Sequence, residues 1–400
     1  MDPILYAMPV FLLTIVVEAW LGHRRGRPVY DIPDAITSLQ HGVLSQLSGL
    51  LFKFTLLGIY IAVYEHDRLT SLDATNPWVW LGALLALDFC YYWSHRLYHE
   101  VAVLWASHVV HHSSEFYNLS TALRQPSTEW LFGWLFFLPL AVVGVPPEVF
   151  IGVGLIDLLY QYWVHTELIG SLGWFDRIFV SPSNHRVHHG QNDYCIDKNY
   201  GGILIIWDRL FNTFEPERAS EAVVFGIRTP LHSYSPLKGV THYYTDLWHA
   251  SMAAQGWRAR LGVWIAPPGG WDQPLPYFDA TTYQRYSTPG NWYVVLHYLL
   301  TVPLLMHFIA MEAQLSASAM IAYAVFIVIQ MQVLGAVLNG VRFARQMEQC
   351  RTLIVGLAFF ILPDWFGWVA APFWRWLLLA LMLGSTAWLM LQRDAVKVRA

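Results

Sequence analysis

Three short runs decide how this chain folds: HRLYHE at 95–100, HVVHH at 108–112 and HRVHH at 185–189. They carry His95, His99, His108, His111, His112, His185, His188 and His189, and a single His165 falls between the second run and the third. On a helix, residues four apart differ by about 40° in azimuth and one turn in height, so His95 and His99 can aim at one centre. Adjacent residues such as His111 and His112 point to different sides, so an adjacent pair can serve two centres. Imidazole is the commonest metal ligand among side chains. Nine of them exceed what one ion takes up, since a tetrahedral site uses about four, and the number points to two metals held by neighbouring helices. Reading them as surface histidines requires several dense groups to have arisen by accident.

Outward from these runs the chain is apolar. Of its 400 residues 56% are hydrophobic and 13% charged, with a mean hydropathy of +0.38, a balance that fits a membrane protein better than a soluble enzyme. The net charge of -4 and the lack of a long basic run exclude nucleic acid as a partner. Cys90, Cys195 and Cys350 are odd in number and widely spaced, so neither a disulfide framework nor a cysteine zinc site is expected. No internal repeat is evident.

Hydropathy predicts an all-α, multi-pass transmembrane bundle of about eight or nine spans with a histidine-rich cytosolic cap. The spans fall at 4–21, 39–64, 77–94, 129–145, 148–165, 292–312 and 317–338, with two short helices in 352–391 parted by DWFGW. The first reads as a retained span, because no basic leader precedes it. Residues 129–165 form a helical hairpin around Pro146 and Pro147, and the stretch near 236–262 reads as amphipathic and membrane-apposed. Arg24, Arg25 and Arg27 after the first span, and Arg342, Arg345 and Arg351 after 317–338, put those loops and the histidines on the cytoplasmic side. That side faces the cytoplasm across a bacterial inner membrane, or across the endoplasmic reticulum in a eukaryote. Three regions follow: N-terminal spans at 1–76, a histidine-bearing catalytic region with its cap at 77–290, and C-terminal spans at 291–400.

Carboxylates close to such a cluster need a reason to be there. Asp88 lies two turns before His95 and Asp157 two turns before His165, which suits each to accept the outer imidazole N–H and fix a ligand's tautomer; capping or an arginine partner is the alternative. Gln161 is a further candidate for that part. His297 and His307 lie within a predicted span without an evident partner and read as packing residues.

HRLYHE, HVVHHSSEFYNLSTALRQ, HTELIG and SPSNHRVHHGQNDYCIDKNYGGILIIWDRLFNTFEPE together resemble the fatty acid hydroxylase and sterol desaturase superfamily, in its alkylglycerol monooxygenase branch. The resemblance runs from about Asp88 to Pro274. It implies a membrane-embedded non-haem site of two iron ions that activates dioxygen against a lipid C–H bond, with the eight histidines of the runs as ligands and His165 as a ninth. Iron itself comes from the resemblance, because imidazoles also suit zinc and copper. Glu100 matches an acid tied in that branch to a tetrahydropterin reductant. Asn118, Arg124, Gln125, Asp197, Lys198 and Asn199 match it too, as binders of a headgroup or reductant or as helix caps. Asn184 stands where the family often has another histidine, and Phe116 where it often has an acid.

These readings converge on a di-iron lipid monooxygenase acting on a membrane lipid with dioxygen. Its electrons come from tetrahydrobiopterin or another external donor, such as a redox protein, because no haem, flavin or ferredoxin motif is present. Desaturation of a sterol, hopanoid or acyl chain by the same site is the second reading, and a metal transporter or sensor the third.

Overall fold

The computed structural model describes residues 3–52, 54–270, 278–288 and 291–391; the end of the family-like stretch, Trp271 to Pro274, lies outside them. Among the described residues there is no strand, only isolated antiparallel bridges such as Phe179 with Leu204 and Gly190 with Phe225. The chain gathers into two compact units, Val10–His232 with Lys238–Ser287, and Met1–Pro9 with Ser233–Leu237 and Thr288–Ala400.

In chain order the helices that build the larger unit are α1 (Pro3–Arg24, from Val10 onward), α2 (Ile32–Leu51), α3 (Ile59–Asp67), α4 (Pro77–Glu100), α5 (Ala102–His112), α6 (Leu119–Ala122), α7 (Trp134–Val143), α8 (Pro147–Trp163), α9 (Pro182–His188), α10 (Ile206–Leu210), α11 (Pro236–Ala253) and α12 (Trp257–Ile265). α4 starts where Pro77 occupies the first turn and the Asn76 side chain accepts the Trp78 N–H at 3.0 Å, which satisfies one of the free donors of a helix start. It runs unbroken through both histidines of the first run. Its inner face meets α7 and α8, on which α3 also packs, in a core of Tyr60, Ala83, Leu87, Ala141, Val149 and Val153, with Tyr60 stacked on Phe150 at 4.1 Å. The hairpin between α7 and α8 turns at Gly144, whose φ of 101° only glycine adopts freely; a Cβ there would meet the Thr70 carbonyl at 2.1 Å.

α13 (Trp292–Met311), α14 (Ala317–Leu338), α15 (Ala344–Ile361) and α16 (Pro372–Leu391) form the smaller unit. Its interior carries a buried polar network. Arg351 forms an ion pair with Glu348, donates to the Gln330 side chain, and donates to His297 Nδ1 at 2.8 Å; Tyr293 donates to Glu348 at 2.6 Å, and His297 Nε2 meets Ser385 at 3.0 Å. His297 therefore has partners that were not evident in the sequence, and His307 meets the Tyr323 hydroxyl at 3.2 Å.

Two expectations change. Four described helices, not eight or nine, are long and apolar enough to cross a bilayer: Leu5–Arg24, Trp292–Gln314, Ala317–Leu338 and Pro372–Leu391. The 39–64 stretch is split by a π-turn at Phe54–Gly58, and α2 begins earlier and buries Asp34, Thr37, Ser38, Gln40 and His41. The run at 129–145 shortens to the 10 residues of α7. Second, Arg345 and Arg351 are not loop charges; both sit inside α15, Arg351 neutralised by Glu348 one turn away, and of the three only Arg342 precedes the helix.

Candidate metal centre

Four elements deliver the nine histidines. His95 and His99 lie on the last turns of α4, and His108, His111 and His112 on α5, which leaves α4 after the single hinge residue Val101. His165 follows the end of α8. His185 and His188 sit on α9, with His189 as its C-cap. That short helix is fixed by a capping box, in which the Ser181 and Asn184 side chains each bond the other's backbone N–H, with Pro182 in the first turn. Seven of the nine are buried, between 2% and 6% exposed.

The imidazoles part into two sets, His95, His99, His108, His112 and His188 in one, and His111, His165, His185 and His189 in the other; within each, one ring nitrogen per residue lies within 4.8 Å of all the others. The adjacent pairs His111/His112 and His188/His189 divide between the sets, as their separation around a helix requires. The sets abut, with the His112 and His189 rings stacked at 4.3 Å.

Whether metals fit can be tested on the ring nitrogens themselves. His111 Nδ1 lies 3.0 Å from the Arg124 carbonyl, and His165 Nδ1 lies 2.8 Å from the Gln161 carbonyl. A carbonyl only accepts, so both Nδ1 atoms carry the proton and both Nε2 atoms present bare lone pairs. Yet those two Nε2 atoms face each other at 3.3 Å. Two lone pairs at that distance repel unless a cation lies between them. Other facing pairs stand at 3.1 Å (His95 and His108, His165 and His185) and 3.2 Å (His108 and His112, His185 and His189). An imidazole–metal bond of ~2.1 Å puts neighbouring donors ~3.0 Å apart at a right angle and ~3.4 Å apart at the tetrahedral angle. The spacing is that of ligands around an ion, and the donor set fits two transition metals.

Protonation agrees with ligation. Burial drives His111 down to about 4, and burial followed by the neighbouring imidazoles holds His112 and His189 well below the ordinary histidine range. At neutral pH the donors are uncharged, the form a metal needs.

The outer nitrogens correct the expected role of Asp88 and Asp157, neither of which touches an imidazole. His95 Nδ1 goes to the Tyr200 carbonyl at 2.8 Å and His188 Nδ1 to the Lys198 carbonyl at 3.0 Å, beside the two carbonyls already named. Buried aspartates act one step further out, holding the segments that offer those carbonyls. Asp208 accepts the N–H groups of Tyr200 and Gly201, both at 2.8 Å. Asp34 pairs with Arg124 at 2.7 Å, and Asp157 accepts from the Gln161 side chain at 2.7 Å. Asp88 takes the N–H of Ile203 at 2.7 Å and the Trp207 indole at 2.8 Å, pinning the loop that carries Tyr200. Asp34 and Asp208 escaped the sequence reading, because nothing in the order of residues places either beside a histidine.

Of the residues expected to bind a headgroup or reductant, Asn118 caps α6 and donates to the Val29 carbonyl at 2.8 Å. Arg124 is buried among Asp34, Ser38 and Ser113 and has no surface to offer. Lys198 takes part through its backbone. Glu100 remains half-exposed and paired with Arg96 at 2.8 Å. Asn184 serves the α9 capping box, and Phe116 lies beneath the Arg285 guanidinium at 5.1 Å.

A helical chain with membrane-length apolar helices and two adjoining all-histidine sites for metal is the class that fold and site define. A family model described as fatty acid hydroxylase matches residues 80–213. The alkylglycerol monooxygenase of Homo sapiens is 38% identical over 367 residues, covering 88% of this chain and 81% of that protein, and the one of Danio rerio is 37% identical over 366 residues. An ornithine lipid hydroxylase of Rhizobium tropici is 36% identical over 143 residues, 35% of this chain and 43% of that protein. No solved structure matches. The chain belongs to the fatty acid hydroxylase family, in the branch of the alkylglycerol monooxygenases.

Proposed function

We propose that this chain is a membrane-bound non-haem di-iron monooxygenase that hydroxylates a C–H bond of an ether lipid of the alkylglycerol class, with dioxygen and an external reductant. The observation that carries this reading is the pair of abutting imidazole sets, five and four, in a chain 38% identical to an alkylglycerol monooxygenase over 88% of its length. His95, His99, His108, His112 and His188 would hold one iron, and His111, His165, His185 and His189 the other. Bound there, the two ions supply the activation of dioxygen and the oxidising strength to break an unactivated C–H bond.

The chain's own residues prepare the site. The carbonyls of Arg124, Gln161, Lys198 and Tyr200 keep four imidazoles in the Nδ1–H form and fix their ring planes. Tyr117 and Tyr200, both 0% exposed, lie against ligand rings from the two sets and exclude water from their backs. Apolar helices provide the surroundings an alkyl chain needs. Glu100, half-exposed and steadied by Arg96, is the acid to which tetrahydrobiopterin or another donor would bind. The cytoplasmic placement rests on the arginines after the first span: Arg25 donates to the Leu168 carbonyl at 3.4 Å, so that basic end lies beside the segment following His165.

The test is purified chain, loaded with iron, given an alkylglycerol, reductant and isotopically labelled dioxygen. Label in the lipid and about two irons per chain support the reading. An unlabelled product with a new double bond establishes the desaturase instead, and zinc or no metal at all refutes both.

A further inference from the structure

Electrons for the proposed reaction have to cross from an external donor to imidazole-bound metals, and aromatic rings touching the ligands are the natural route. Among the described residues five aromatic side chains other than histidine lie against ligand rings. Tyr98, Tyr117 and Tyr200 are sealed, at 2%, 0% and 0% exposure. Tyr91 meets one ligand ring, His95 at 5.2 Å, and its hydroxyl is tied to Gln161. Trp105 differs from the three sealed tyrosines in its exposure and from Tyr91, which is half-buried as well, in the number of ligand rings it meets. It is half-buried, and its indole lies 4.9 Å from His99, 5.5 Å from His112 and 6.4 Å from His108, three members of the five-histidine set.

Its backbone explains the placement. Trp105 sits in the first turn of α5, its N–H bonded to the Val101 carbonyl at 2.8 Å, and α5 is anchored there by the Ala102 N–H on the Ala266 carbonyl at 2.8 Å. Glu100, immediately before Val101, is half-exposed and held by Arg96. A half-buried indole and a half-exposed carboxylate thus follow each other across Val101.

We propose that Trp105 is the electron-entry residue: its half-buried indole stacks on the planar ring of a small reduced nitrogen heterocycle, and electrons pass through the indole to the five-histidine site. This rests on the monooxygenase reading and adds the port to it. With DH2 as the reduced heterocycle, RH + O2 + DH2 gives ROH + H2O + D. The heterocycle loses an electron pair and two protons, one oxygen atom enters the lipid C–H bond, the other leaves as water with those protons, and the indole is a conduit with no net change. Stacking on an aromatic face is favourable for a flat heterocycle, and the adjacent carboxylate suits its N–H donors.

The test uses full-length, iron-loaded wild type, Trp105→Phe and Trp105→Leu, mixed anaerobically with tetrahydrobiopterin while reduction of the metal centre is followed by its absorption, with metal content measured in parallel. Trp105→Leu should keep its metal and be reduced about tenfold more slowly or worse, while Trp105→Phe, which retains a ring, should keep most of the rate. A leucine variant reduced at the wild-type rate overturns the proposal. So does metal loss in both variants, which would make the indole a support for the ligands. Wild type that binds iron yet is reduced by no donor defeats the monooxygenase reading itself, a result distinct from either.

Discussion

Replacing Asp34 by asparagine tests whether a carboxylate on α2, outside the family-matched segment, controls metal binding at one of the two histidine sets. The Asp34–Arg124 pair is 2.7 Å long with side chains 10% and 3% exposed, and Ser114 also donates to Asp34. Breaking a buried pair on one side leaves an uncompensated charge and costs about 3–5 kcal/mol; asparagine still accepts one hydrogen bond, so the lower end, about 3 kcal/mol, is expected. Relief comes from moving Arg124, whose carbonyl holds His111 Nδ1 at 3.0 Å. Loss of an outer partner of a metal-binding histidine typically weakens the metal by about 10–100-fold, and here the loss falls on the four-histidine site alone. Dialysis of the iron-loaded variant against graded chelator should therefore release one metal early and the other at the wild-type concentration, with a lowered unfolding temperature in detergent. The double variant Asp34→Leu with Arg124→Met leaves no charge unpaired and keeps the backbone carbonyl at 124, so it should recover both stability and the second metal. Asp34→Asn that retains both metals at wild-type affinity, or a double variant no better than the single, would refute the reasoning.

His188→Ala and His189→Ala, one residue apart, should each lower loading at a different site, which metal-centre spectroscopy on the two variants separates; identical spectra would argue against the division into sets. Gly202→Ala would place a Cβ 2.8 Å from Asp157 Oδ1 and 3.1 Å from Asp88 Oδ1, so a destabilisation of about 1–3 kcal/mol is expected in thermal unfolding, with weaker metal at His95. In the metal-free chain burial lowers His111 from 6.5 to about 4, so below 6.5 the unfolded imidazole binds a proton that the folded one refuses. Stability should be flat above about pH 6.5 and fall toward pH 4, by about 3 kcal/mol from His111, as read by denaturation at stepped pH.

The sequence announced the imidazoles because their spacing is helical: positions separated by three or four share a face, adjacent ones do not, and the split of His111 from His112 and of His188 from His189 follows from that alone. What supports them was hidden, since the acceptors are backbone carbonyls, which no residue type marks. Asp88, two turns before His95, looked placed to reach it, but two backbone N–H groups and an indole of the 203–207 segment claim its carboxylate first. Asp34, Asp157 and Asp208 share an arrangement that only folding reveals: each is tied to a residue, or to the peptide unit, whose carbonyl takes an imidazole N–H. Such indirect support fixes the imidazole rings while leaving the carboxylates one residue removed from them, so the donor set itself stays all-imidazole.

The apolar helices misled in a complementary way. Within the stretch read as a span over 39–64, Gln40 and His41 stood out as polar interruptions, but hydropathy does not reveal that the helix begins at Ile32 and buries Asp34 as well, which supports the histidines through Arg124. Arg351 misled for the opposite reason. Counted as a loop charge it supported a sidedness argument, yet Glu348 precedes it by three residues, a spacing that puts both on one helix face. Buried ionisable groups in apolar helices need a partner, and in this chain two such arginines have an acid, through Asp34–Arg124 behind the histidines and Glu348–Arg351 among α13 to α16. An arginine in such a helix therefore bears on membrane orientation only after a search for an acid one turn away, and by that criterion Arg351 drops out of the sidedness argument.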